Sequence, residues 1–301
     1  MSSKYGIGVL AFLAASLLLT APGLASTRPA PARLGAVCTV KGRQARANGV
    51  TLQCKRRVHG LRWAKVLPLP APTPYDRFGG SVTVFAAASL TESFNTISEQ
   101  FQHLHPAVRV TLSFGASSSL ATQILNGAPA DVFASASTTT MQQVVDGRLV
   151  TNPQTFARNR MIIVTGPGNP LGIRAVSDLA RPGVKVAMCQ IHVPCGIVAR
   201  QVFAKAGASI TPVTFEADVK SVLTKVLLGE VDAGMVYVSD ARSAGDKVTS
   251  VVIPADVNAD TTYPIGRLVG SANPEAAQAF IDFVLGDRGA AALARAGFTV
   301  L

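Results

Sequence analysis

From residue 81 onward the chain alternates short apolar runs with longer stretches in which apolar residues recur three and four apart. Ser81–Phe85 predicts a strand, and Leu90–His103 predicts an amphipathic helix with Phe94, Ile97 and Phe101 on one face. Val108–Phe114 predicts a second strand, followed by a helix over Ser118–Leu125. Further strands are expected at Asp131–Ala134, Arg160–Val164, Val184–Met188, Ile210–Thr214, Ala233–Tyr237, Val251–Ile253 and Ile265–Val269. Helices are expected at Thr139–Val145, Gly196–Ala206, Ala217–Leu228, Pro274–Leu285 and Gly289–Ala296, with a helical turn at Ser177–Ala180. Strands that alternate with helices imply an α/β fold built on a parallel, doubly wound sheet. Two βα sets of similar size imply two lobes of about 100 residues each.

The first 80 residues follow other rules. An apolar run over residues 5–22 stands behind Lys4 and ends at Gly23-Leu24-Ala25. A basic start, an apolar stretch and a small-x-small ending predict a secretory leader over residues 1–25. The competing reading is an uncleaved anchor, for which the run is long enough. Cys38 lies too far downstream to be a lipid attachment site. Residues 26–66 then predict a small module with β-like pieces at Cys38–Val40, Val50–Cys54 and Leu61–Val66. Asn48-Gly49 between two of them is a strong hairpin signal. So small a unit buries little, and a Cys38–Cys54 bridge formed in an oxidising compartment would staple it around Trp63. Residues 67–80, LPLPAPTPYDRFGG, predict a proline-rich linker.

The net charge of +11 belongs to this N-terminal part. Residues 80–301 carry 16 Lys and Arg against 16 Asp and Glu, whereas residues 26–79 carry eleven basic residues against one acid, Asp76. Nucleic-acid binding would place basic and stacking aromatic residues on the main fold, and they are absent there. A cationic exported segment instead suits an anionic cell envelope, or is simply a solvated basic face.

Enzyme signatures are missing. There is no Gly-x-Ser-x-Gly elbow, no phosphate-binding P-loop and no Gly-x-Gly-x-x-Gly. The four histidines, His59, His103, His105 and His192, fall into no set with metal-ligand spacing, and Cys189 and Cys195 have no second pair near them. No catalytic residue, metal site or cofactor is expected. Binding signals are stronger. Ser89 follows the first strand of the main domain and precedes its helix, fitting an N-cap or first-turn position. Ser117 repeats that context after the second strand, with Ser118 and Ser119 available as caps. Taken alone, each serine could do no more than cap its helix. Two such sites matter because ligands of open α/β folds sit beyond the C-terminal ends of the strands. Helix starts offer unpaired N–H groups, and two of them facing each other would hold a small anion.

Several segments, taken together, resemble the family of periplasmic molybdate-binding proteins, the substrate-capture components of molybdate ABC importers. They are Phe85-Ala-Ala-Ala-Ser89-Leu90, Phe114-Gly-Ala-Ser117-Ser-Ser-Leu120, Gly127-Ala-Pro-Ala-Asp131-Val-Phe-Ala-Ser135-Ala136, Val193-Pro194-Cys195-Gly196, Asp218-Val219-Lys220, Gly234-Met-Val-Tyr237-Val-Ser-Asp240, Tyr263-Pro-Ile265 and Gly297-Phe-Thr-Val300. The resemblance covers roughly residues 80–301 and leaves out the basic module. It implies a two-lobed fold of the type II periplasmic-binding-protein class with a ligand cleft between the lobes. The expected lobes are 81–160 with 264–301, and 161–263, linked around Met161–Val164 and Ile265–Val269. It also implies an oxyanion ligand, molybdate or tungstate, bound by the hydroxyls of Ser89, Ser117 and Tyr237 and by backbone N–H groups at Cys195 and Val219. Asp131 and Asp240 are expected to be caps, since a carboxylate would repel the anion. Where this chain has Cys189 and Cys195 the family often has glycine and alanine, so a second disulfide is expected to close the short loop that presents the Cys195 amide. The partner implied is an ABC permease, with the protein an extracytoplasmic monomer. Sulfate or another small anion in the same fold is the nearest alternative. A cell-surface adhesion role resting on residues 26–66 is the alternative from another class.

Overall fold

The computed structural model describes residues 32–34, 36–41, 43–47, 50–57, 60–65 and 79–301. The expected leader, the Asn48-Gly49 turn and residues 67–78 of the linker lie outside the described residues. Two compact units, Met1–Ala71 and Pro72–Leu301, divide the chain.

In the smaller unit, β1 (Gln44–Ala47), β2 (Val50–Arg57) and β3 (Gly60–Lys65) form an antiparallel sheet in that order. Cys38, Leu52, Cys54 and Trp63 make its core, with Cys38 and Cys54 disulfide-bonded. The strand expected at Cys38–Val40 is not formed, and Val37 makes only an isolated bridge to Arg62. Instead β1 takes the edge, although its Gln-Ala-Arg-Ala sequence lacks the β-branched and aromatic residues that announce a strand.

The larger unit opens with β4 (Gly80–Ala87), a 3-10 turn at Ala88–Leu90, α1 (Thr91–Leu104), β5 (Val108–Gly115), α2 (Ser117–Leu125), β6 (Val132–Ala134) and α3 (Thr138–Asp146). There follow β7 (Gln154–Thr165), β8 (Val186–Cys189), α4 (Pro194–Lys205), β9 (Thr214–Glu216), α5 (Val219–Leu227), β10 (Ala233–Tyr237) and α6 (Val238–Ala244). β11 (Thr249–Val251), β12 (Asp260–Arg267), α7 (Pro274–Leu285), α8 (Asp287–Ala296) and β13 (Thr299–Val300) complete the chain. Among the described residues no helix is long and apolar enough to cross a membrane.

The strands run β5-β4-β6-β12-β7-β10-β8-β9, with β11 and β13 also on β7. The sheet is parallel at both ends, where β4 pairs with β5 and β6 and β8 pairs with β9 and β10. It is not parallel throughout: β12 runs antiparallel to β6 and β7, and β10 antiparallel to β7. β7 serves two lobes. Its residues 154–160 pair with β12, and residues 161–165 with β10. Each half is buried in its own core. Val84, Phe94, Ile97, Phe101, Ile265 and Phe280 fill the first lobe, joined by a smaller cluster around Phe133 and Met141. Ile163, Val186, Val202, Val222, Val226 and Met235 fill the second. Helix α5 lies so close to β10 that a Cβ on Gly234 would stand 2.8 Å from Val222 Cγ1.

The first link falls on β7 at the start of the expected Met161–Val164 stretch, whereas the second lies before the expected Ile265–Val269. Met161–Val164 already pairs within the second lobe, and Ile265 is in the first-lobe core. The crossings sit where Arg160 pairs with Asp260, and the buried Asn258 donates through Nδ2 to Met161 O at 2.9 Å. The strand expected at Ile210–Thr214 starts only at Thr214, because Pro212 has no N–H for a ladder.

Candidate functional site

Four chain turns of one kind meet between the lobes. In each, a strand ends and a helical segment begins, so the first N–H groups of that segment have no partner inside it. From the first lobe come the turn at Ala88–Leu90 after β4, and the start of α2 after β5. From the second come the starts of α4 and α5, after β8 and β9. Ser89, Ser117, Cys195 and Val219 lie at these turns, and Tyr237 closes β10 beside them. All five line one cavity of about 20 Å³, with Ala87, Ala88, Gly115, Ala116, Ala136, Pro194 and Asp218. Organic ligands ordinarily occupy roughly 300–1,000 Å³. This space suits a single small ion.

The local sequence explains how the amides are left over. Pro194 sits at the first position of α4, where the missing N–H costs nothing, so the next amide is that of Cys195. The Cys189–Cys195 disulfide ties this helix start back to the end of β8. Gly196 is required there, because a Cβ would stand 2.0 Å from the Gln190 carbonyl oxygen. Asp218 caps α5 by accepting the Ser221 N–H at 2.9 Å, which turns one oxygen of the only carboxylate on the lining towards its own helix. Helix α2 has no side-chain cap at all. Neither Ser118 nor Ser119 takes the capping role open to it from the sequence.

Two of the hydroxyls, those of Ser117 and Tyr237, have a proton left to donate. Ser117 Oγ accepts the Ala136 N–H at 2.9 Å, which leaves its own proton for another acceptor. Ser89 does not cap α1; its Oγ lies 2.8 Å from the hydroxyl of Tyr263, fully buried behind it. The Tyr237 hydroxyl is buried and has no hydrogen-bond partner among the described residues. The Thr261 hydroxyl nearby donates to the Ala136 carbonyl instead. Burial, with Tyr263 and Asp240 adding to it, holds the Tyr237 pKa well above its ordinary value, so the phenol keeps its proton. No Lys or Arg lines the cavity. The arrangement offers neutral donors and helix-start dipoles to something negative.

Of the two aspartates, Asp131 ties the first lobe together, accepting from Thr83 N at 2.7 Å and Ser271 Oγ at 2.6 Å. Asp240 caps α6 by accepting the Tyr237 N–H at 3.1 Å. Neither lines the cavity. Tyr263 was missed as a site residue. The expected strand begins only at Ile265, whereas β12 starts at Asp260, and nothing local to Tyr263 points to Ser89.

The chain matches the sequence profile of the bacterial extracellular solute-binding proteins over residues 82–299. It is 43% identical over 232 residues to the molybdate-binding protein ModA of Mycobacterium tuberculosis, covering 77% of this chain and 89% of the relative. It is 35% identical over 233 residues to ModA of Escherichia coli, covering 73% and 90%. The periplasmic molybdate-binding protein of Azotobacter vinelandii superposes with a TM-score of 0.66 at 21% identity, covering 73% of this chain and 99% of that one. The chain therefore belongs to the bacterial extracellular solute-binding protein family, among its molybdate-binding members.

Proposed function

We propose that this protein captures molybdate, and with it tungstate, outside the cytoplasm and hands it to an ABC permease. The observation that carries this reading is the Tyr237 hydroxyl, buried without a partner among the described residues on the wall of an ion-sized cavity. Leaving such a donor dry costs about 1–3 kcal/mol, which an oxyanion would offset. Ser89, Ser117 and Tyr237 would donate through hydroxyls, Cys195 and Val219 through backbone N–H groups. The reaction is binding, and nothing on the lining is placed to break a bond. Protonated phosphate needs an acceptor for its hydrogen, and a wall of donors disfavours it. Sulfate has the charge and shape of molybdate, so discrimination would rest on cavity size.

The test is calorimetric titration with molybdate, tungstate, sulfate and phosphate, alongside Tyr237→Phe. Tight binding of the first two, weakened about 10- to 100-fold in the variant, is the expected result. Heat from none of the four, with the protein folded, would overturn it. For the smaller unit, we read the exposed Arg43, Arg46, Lys55 and Arg56 as an electrostatic tether to an anionic envelope. Unchanged cell association after deletion of residues 26–79 would refute that part alone.

A further inference from the structure

Beside the cavity lies a charge cluster that anion binding leaves unused. Lys220, the residue after Val219, reaches across the cleft to Glu92, the third residue after Ser89. Its Nζ donates to both carboxylate oxygens of Glu92, at 2.7 and 2.8 Å. On its own side the same ammonium donates to Ser243 Oγ at 3.0 Å and stands 3.4 Å from Asp240 Oδ1. Asp240 is fully buried and holds the Tyr237 N–H. A single cation thus joins the first-lobe segment that carries Ser89 to the second-lobe segments that carry Val219 and Tyr237.

The two arms of Lys220 are not equivalent. Ser243 and Asp240 belong to the second lobe, so opening the cleft leaves that arm intact. Only the Glu92 arm is broken by opening, and that carboxylate is half-exposed and ready for water. An ordinary surface pair lies within one lobe, as Lys225 and Glu230 do. Lys220 differs, being only 23% exposed and already held by the partners of its own lobe. Reaching Glu92 therefore costs it little further side-chain entropy. We propose that the Lys220–Glu92 pair is a closure latch that sets the residence time of the bound anion. This rests on the oxyanion reading above. Glu92 and Lys220 are positioning residues and touch no ligand.

Glu92→Gln tests it cleanly, because the variant keeps Lys220 on Asp240. In the full chain, release of labelled molybdate into an excess of unlabelled anion is expected to quicken about three- to fivefold, with association unchanged. Charge alone gives the opposite sign, since removing a carboxylate near an anion tightens binding. Glu99→Gln, on the exposed side of the same helix, is expected to release at the wild-type rate. Equal release from wild type and Glu92→Gln would overturn the latch while leaving molybdate binding in place. If the wild type binds no molybdate, the oxyanion reading fails, and small-angle scattering of the ligand-free protein decides the latch by itself. A larger radius of gyration for Glu92→Gln supports it, and equal radii overturn it.

Discussion

Ser89 Oγ and Tyr263 Oη meet at 2.8 Å, although 174 positions separate them in the chain. The pair links the first turn after β4 to the last strand that returns from the second lobe. It parallels the contact of Ser117 with the Ala136 amide. Each serine oxygen is thus held by a second group, Ser89 Oγ by the Tyr263 hydroxyl and Ser117 Oγ by the Ala136 N–H, which fixes where each oxygen stands.

Replacing Tyr263 with Phe keeps the ring, which packs edge-on against Phe298 at 5.2 Å, and removes only the hydroxyl. Molybdate affinity measured by calorimetry is expected to fall about three- to tenfold, the effect of one hydrogen bond of ordinary strength. Circular dichroism is expected to be unchanged.

The amide of Val219 can be removed without removing the helix. Val219 is the first residue of α5, and Asp218 before it has extended backbone, φ −152° and ψ 175°. Proline is tolerated at such a position and after such a residue. Val219→Pro is therefore expected to fold normally and to bind molybdate about 10- to 100-fold more weakly, the loss of one hydrogen bond to a charged group.

The two disulfides are expected to act separately. Opening Cys189–Cys195 by a double serine substitution frees a loop closed over a sequence separation of 6 and is expected to cost about 2 kcal/mol in urea unfolding. It is also expected to weaken molybdate binding, because the Cys195 amide loses its tie to β8. Opening Cys38–Cys54, in the other compact unit, is expected to leave molybdate affinity unchanged.

Asp240 gives a signature in pH. Burial raises its pKa from 3.8 to about 6, against the pull of Lys220 and the Tyr237 N–H. The unfolded chain releases this proton near pH 4, while the folded protein keeps it until about pH 6. The stabilisation is thus fully present below pH 4 and is lost as pH rises through about 6, by about 3 kcal/mol. Unfolding curves of wild type and Asp240→Asn between pH 4 and 7 are expected to diverge by about that amount, the wild type losing ground as pH rises. Parallel curves would show that Asp240 titrates normally.

The βα alternation and the places of Ser89 and Ser117 were legible in the sequence because they are local: an apolar run, a turn of small residues, a helix start. Cys195, Val219 and Tyr237 came only from the resemblance to the molybdate-binding family. What could not be read depended on distant partners. β7 was seen only from Arg160 onward, since Arg158 and Asn159 break the apolar pattern before it. β12 was displaced by Pro264, which the strand absorbs in an irregular register between Tyr263 and Pro264. Helix α6 starts directly at Tyr237 with no turn residue to announce it. The contacts of Tyr263 with Ser89 and of Lys220 with Glu92 join segments that come together only once both lobes exist.

β7 has a consequence for how the large unit melts. One unbroken strand gives residues 154–160 to one core and residues 161–165 to the other, so continuous strand backbone rather than a loose linker joins the lobes here. The two halves are expected to share one thermal transition, seen as a single peak of heat absorption, and two separate peaks would show that the lobes melt independently. An anion that bridges the cleft is then expected to slow amide exchange in the cores of both lobes, and not only in the turns that hold it.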